Sequence, residues 1–105
     1  MTEIQDSWKA LADQNRRKIL ELLFSEALTA TEIAEKLNLT GGNVSQHLNT
    51  LKKGEIVDSK IQGLYRVYSI KSETLENMLE WMAGVTPSRS QTILHLRKKT
   101  AALKE

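Results

Sequence analysis

Asn43, Ser45, Gln46, His47 and Asn49 place five amide, hydroxyl and imidazole side chains within a short stretch that contains no carboxylate and no lysine. Groups of this kind donate and accept hydrogen bonds at base edges, whereas a merely solvated helix face more often carries Glu and Lys. The interleaved Val44, Leu48 and Leu51 recur at i, i+4 and i+7, so the same stretch has an apolar stripe opposite its polar face. Thr40 is suited to cap such a helix. Lys52 and Lys53 close it with positive charge, suited with Thr40 and Gly42 to a phosphate backbone.

An element must hold that helix in place, and the preceding residues supply one. Thr29 and Glu32 form a T-x-x-E capping box, predicting a helix from about Ala30. Ile33, Ala34 and Leu37 share one face, Asn38 tolerates the left-handed conformation that ends helices, and Leu39 can plug the turn. Two short helices crossing over a tight turn are the geometry of a DNA-reading helix-turn-helix. Downstream, Val57 to Ile70 reads as two β-rich runs separated by Gln62 and Gly63, a hairpin signal. A hairpin directly after a reading helix is a wing. Lys60, Gln62 and Arg66 are expected to project toward the sugar-phosphate backbone, with packing residues drawn from Ile61, Leu64, Val67 and Tyr68.

Helices are also expected over Ile4–Ala12, with Asp13, Gln14 and Asn15 as an interruption, and from about Arg16 to Phe24. Ala27 and Leu28 read as a possible short strand pairing with the wing. Ser72 caps a further helix to about Ala83, ended by Gly84 and Pro87. The fold class is therefore mainly α with a small β-hairpin. Residues 1–87 form the expected winged helix-turn-helix DNA-binding domain, and residues 88–105 a basic, helical C-terminal extension with Ile93, Leu96, Thr100 and Leu103 on a narrow stripe.

Composition sets bounds. The chain has 105 residues, 27% charged and 5% aromatic, so aliphatic helix packing must supply most of the burial. The formal charge is only +2, but its distribution is uneven: Lys52, Lys53, Lys60 and Arg66 accompany the expected reading elements, and Arg89, Arg97, Lys98, Lys99 and Lys104 the extension. There is no cysteine, which excludes disulfides, thiolate metal sites and thiol redox sensing. No segment reaches the length of a transmembrane span, so no membrane partner is expected. The first dozen residues are polar and do not read as a signal peptide, and a cytoplasmic protein is expected. No nucleophile with a general base, carboxylate pair or phosphate-binding glycine loop stands in a workable arrangement, so neither an enzyme nor a cofactor is expected.

The order of elements, with WKALADQNRRKILELL at Trp8–Leu23, VSQHLNTLKKGEIV at Val44–Val57 and GLYRVYSI at Gly63–Ile70, resembles the ArsR family of bacterial and archaeal winged-helix repressors. The resemblance implies a homodimer that binds double-stranded DNA at an inverted-repeat operator, pairing through its first and last helices and repressing transcription. It gives a role to Ile4, Trp8, Leu11, Leu75, Met78, Leu79, Trp81 and Met82 as a dimer interface, the alternative being that they complete the monomer core. Metal-sensing members carry a Cys-x-Cys pair where this chain has Thr29 and Thr31, and hydroxyls are poor ligands for soft metals. A second family site needs histidine in the last helix, where Ser72–Gly84 offers only Glu73, Glu76 and Glu80. No metal site is expected.

Several readings stay open at this level. His47 is either a DNA contact or a packing histidine, and His95 is solvated or packed rather than a ligand. Gly41 and Gly42 either let helix-start amides approach a phosphate or mark a frayed first turn. A protein-interaction module, its DNA binding controlled by a regulatory protein or by a small molecule at the dimer seam, is the alternative function.

Overall fold

The computed structural model describes residues 2–87. Its elements run α1 (Thr2–Leu11), α2 (Gln14–Ser25), β1 (Leu28–Thr29), α3 (Ala30–Leu37), α4 (Gly41–Lys53), β2 (Val57–Gln62), β3 (Tyr65–Ile70) and α5 (Ser72–Val85). The basic extension, with His95, lies outside the described residues, as does the side chain of Ile4. The chain divides into two compact units after Leu75.

In the first unit, local chemistry explains most boundaries. Asp13 does not merely interrupt two helices: its Oδ1 accepts the backbone N–H groups of Asn15 at 2.8 Å and Arg16 at 3.1 Å, making it the N-cap of α2. The helix consequently starts at Gln14 rather than Arg16. The amide of Arg16, then that of Asn15, holds the Asp13 carboxyl below its usual range. At α3 the expected capping box is complete, with Thr29 Oγ1 accepting from the Glu32 amide at 3.2 Å and Glu32 Oε1 accepting from the Thr29 amide at 2.9 Å. Asn38 ends α3 in the left-handed region at φ 56°, and the amide of the half-buried Leu39 donates back to the Ala34 carbonyl. Thr40 Oγ1 then accepts from the Asn43 amide at 3.1 Å and starts α4.

The core of this unit gathers Ile19, Ile33, Val44, Leu48, Leu51 and Ile56, all fully buried. Three of them are the stripe of α4, which packs against α1, α2 and α3 and against β2. The sheet is three-stranded and antiparallel in the order β1-β3-β2, with Leu28 opposite Tyr68 and Ser59 also opposite Tyr68. The short strand at Leu28 is thus real and pairs with the returning arm of the wing.

The hairpin turn falls one residue later than expected. Gln62 pairs with Tyr65, leaving Gly63 and Leu64 as the loop, and Gly63 adopts φ 62°. A two-residue hairpin needs a left-handed first position to match strand twist, which Gly63 supplies without Cβ strain. The slip moves each partner along by two and leaves every face unchanged: directly opposed residues share one, so Arg66 lies with Ile61, Ser59 and Tyr68, whereas Lys60 and Gln62 lie with Val67 and Tyr65. The three wing residues expected to act together are split between two faces.

The fifth helix runs to Val85, through Gly84, two residues beyond the expected stop. Gly84 is not in the left-handed region and meets open space, so nothing in its conformation terminates the helix. The end comes where Thr86 Oγ1 donates to the Met82 carbonyl, ahead of Pro87.

Candidate nucleic-acid interface

With about 100° per residue, the buried stripe Val44, Leu48 and Leu51 fixes where every other side chain of α4 points. Gly42, Gln46, Asn49 and Lys53 lie opposite it, and all four are exposed. Asn43 and His47 fall on one flank, Ser45 and Lys52 on the other. Asn43 and Ser45 are exposed, while His47 is half-buried. Tertiary contacts identify the flanks. Arg16 Nη1 of α2 stands 3.3 Å from His47 Nδ1, and on the other side Lys52 Nζ donates to Ser59 Oγ of the wing at 3.0 Å.

Ser59 receives a second cation. Arg66 Nη1 donates to the same Oγ at 3.1 Å, so the hydroxyl gathers Lys52 from the end of α4 and Arg66 from β3. A neutral oxygen cannot offset the repulsion between two cations brought this close, and an anion seated beside them would. Ser59 was not legible as a site residue, its only signal being its place in the alternation of β2. Lys60 and Gln62 are exposed on the opposite face of the ribbon.

The tip of the wing departs from expectation in its apolar residues. Val67 and Tyr68 are partly buried, but Ile61 is 62% exposed and Leu64 95%. Tyr65 is exposed there too.

Arg16 is the other residue that sequence reasoning missed. Its Nε donates to the Ala10 carbonyl at 2.6 Å and its Nη2 to the Lys9 carbonyl at 3.2 Å, which also accepts from the Ala12 amide at 3.1 Å, so the guanidinium engages the end of α1. The same guanidinium reaches His47. Only the RR pair at the start of α2 hinted at it.

Gly41 and Gly42 sit in a formed helical turn, closed by the Val44 amide donating to the Thr40 carbonyl at 3.1 Å, and a Cβ at either would meet nothing within 4 Å. The turn is not frayed, and among the described residues no neighbour requires glycine there. Among residues expected at a dimer interface, Trp8, Leu11, Leu75 and Leu79 are partly buried, and Trp81 and Met82 are exposed. Met78 is buried, at 4% exposed. The Thr29 hydroxyl, at a position where metal-sensing relatives are expected to have cysteine, is committed to its capping bond.

A winged helix-turn-helix with a polar, outward-facing second helix defines a DNA-binding transcriptional regulator. The family described as bacterial regulatory protein, arsR family, matches residues 13–59. The chain is 39% identical over 75 residues to the transcriptional repressor SdpR of Bacillus subtilis, a match covering 71% of this chain and 83% of SdpR. It is 38% identical over 74 residues to the cadmium resistance transcriptional regulatory protein CadC of Listeria innocua, covering 70% of this chain and 62% of CadC. Among solved structures, a homodimeric winged helix-turn-helix DNA-binding domain from Mycobacterium bovis superposes with a TM-score of 0.68 at 26% identity, over 80% of this chain and 78% of that one. An ArsR-like regulator from Rhodococcus shares the fold with a TM-score of 0.73 at 22% identity, over 98% of this chain and 91% of its own. The chain belongs to the ArsR family of transcriptional regulators. These relatives favour a DNA-binding regulator over an interaction module. Among the described residues, no helix is long and apolar enough to cross a membrane.

Proposed function

We propose that the protein is a homodimeric repressor that reads an inverted-repeat operator, with one copy of α4 in each of two successive major grooves. Asn43, Ser45, Gln46, His47 and Asn49 are the base-reading residues, and Thr40, Gly42, Lys52, Lys53, Lys60, Gln62 and Arg66 hold the phosphate backbone. The observation that carries this reading is the division of α4: its apolar stripe is sealed in the core while Gln46, Asn49 and Lys53 face outward together. Lys52 and Arg66 converging on Ser59 support a phosphate seat between helix and wing.

Two copies pair through their terminal helices, Trp8 and Leu11 contributing from α1 and Trp81 and Met82 from α5. The homodimeric neighbour supports the pairing of two copies. The protein acts in the cytoplasm as a regulator and not as an enzyme, without a metal or cofactor of its own. Twofold symmetry sets half-sites about one helical turn, ~10 bp, apart.

Selection from a random DNA pool by the purified protein tests the reading. A palindromic enriched motif is expected, bound with an affinity that falls by orders of magnitude between low and moderate salt. Gln46→Ala is expected to relax the sequence preference, and Lys53→Ala to weaken binding to all sequences alike. Failure to enrich any motif, or binding indifferent to salt, overturns it.

A further inference from the structure

We infer that Arg16 is a positioning residue for recognition: it holds the His47 imidazole as its Nε2–H tautomer, which makes His47 a hydrogen-bond donor toward an acceptor on the duplex. The inference rests on the reading of α4 as the DNA-reading helix. A guanidinium has five N–H donors and no acceptor, so a hydrogen bond from Arg16 Nη1 to His47 Nδ1, 3.3 Å away, requires a lone pair on Nδ1. In the neutral ring the proton then sits on Nε2, which points away from Nδ1 across the ring. Which nitrogen carries a histidine's proton is set by the bond that the other makes.

Arg16 is well placed to impose that choice because it cannot easily turn away. Its Nε and Nη2 are held by the Ala10 and Lys9 carbonyls, and its own amide donates to the Asp13 carboxylate that caps α2. The guanidinium is thus fixed by α1 and by the start of α2, and presents its remaining edge to α4. Arg16 needs no contact with DNA to act. It decides the polarity of what His47 offers.

A ring N–H matches acceptors: guanine O6 and N7, adenine N7, thymine O4, or a phosphate oxygen. It cannot accept from the cytosine N4 amine. At a base edge, the consequence is a preference at one symmetric pair of operator positions. At a phosphate, it is affinity without preference.

The experiment uses the full chain in two arms. In the first, long-range ¹H–¹⁵N correlation of the imidazole nitrogens is recorded without DNA at about pH 8, above the ordinary histidine range; a His95→Gln variant assigns the two rings. The expected pattern has a protonated Nε2 and a bare Nδ1 on His47 in the wild type, and a mixed or inverted pattern in Arg16→Met. A wild-type ring protonated on Nδ1 overturns the inference, and this arm is independent of whether the protein binds DNA. In the second arm, the selected operator is titrated with wild type, Arg16→Met, His47→Gln and the double variant. Arg16→Met is expected to lose about tenfold in affinity, at one base position if His47 meets a base and across all sequences if it meets a phosphate. In the His47→Gln background, whose amide donates without help from Arg16, the Arg16→Met effect is expected to vanish. An undiminished effect there shows that Arg16 acts elsewhere and overturns the positioning role. Arg16→Lys, which keeps the charge without the fork, is the companion variant if Arg16→Met does not fold.

Discussion

The two ends of α4 use the same residue for opposite reasons. At its start Gly41 and Gly42 face open space, and a Cβ at either would touch nothing within 4 Å. At its end Gly54 is buried beneath α1, and a Cβ would come to 2.8 Å from the Asp6 carbonyl oxygen and 3.1 Å from the Ser7 Cα. Ser7 Oγ donates to the Gly54 carbonyl across the same contact, joining residues far apart in the chain. One end is shaped by the protein's own interior; at the other, no described residue makes a demand for glycine.

Substitutions on the closed side have the largest expected effects. Gly54→Ala forces backbone against backbone, where no flexible side chain can give way, and is expected to destabilise by about 1–3 kcal/mol, read as a lower urea midpoint at unchanged m-value. A wild-type midpoint there would mean that α1 does not press on the end of α4. Asp13→Ala removes the cap of α2 and is expected to lose about 0.5–2 kcal/mol at neutral pH. The folded-state carboxyl is held below its ordinary value of 3.8, so its contribution is present above that value and disappears as pH falls through the folded one. The difference between wild type and Asp13→Ala should therefore shrink as unfolding is followed from about pH 5 downward. A difference that grows in acid would contradict the cap.

The open side predicts a split in sign. Gly42→Ala is expected to raise stability by up to about 1 kcal/mol, since alanine is the better helix former and meets no neighbour. It should nonetheless weaken operator binding if a phosphate approaches the amides there. Stability and affinity rising together would remove Gly42 from the interface. The smallest effect belongs to the wing tip: Leu64→Ser, at a residue 95% exposed, is expected to change stability by no more than about 0.5 kcal/mol. A larger loss in thermal unfolding would show that the tip is covered.

The helix-turn-helix was legible because its signals are local. Thr29, Glu32, Asn38 and Thr40 act on amides and carbonyls a few residues away, and an apolar stripe at i, i+4 and i+7 states its own period. The wing was legible as a hairpin but not in register, since one residue in the turn decides which residue stands opposite which while leaving each on its face. Gln62–Gly63 and Gly63–Leu64 look alike in sequence, yet the first would set Arg66 opposite Ser59, whereas the second sets it opposite Ile61, from where its guanidinium still reaches the Ser59 hydroxyl. Asp13 was misjudged for a related reason, because a residue that breaks one helix also begins the next.

By itself the sequence determined the class of fold, the membership in the ArsR family and the polar character of the face that α4 turns outward. Spacing and capping chemistry operate over single turns, so they survive without knowledge of the rest. Tertiary structure decided what flanks that face. Arg16 meets His47 across 31 residues, Ser7 meets Gly54 across 47, and Lys52 with Arg66 meets at Ser59. No local pattern encodes such pairings, because which donor reaches which acceptor depends on how the helices close over their shared core.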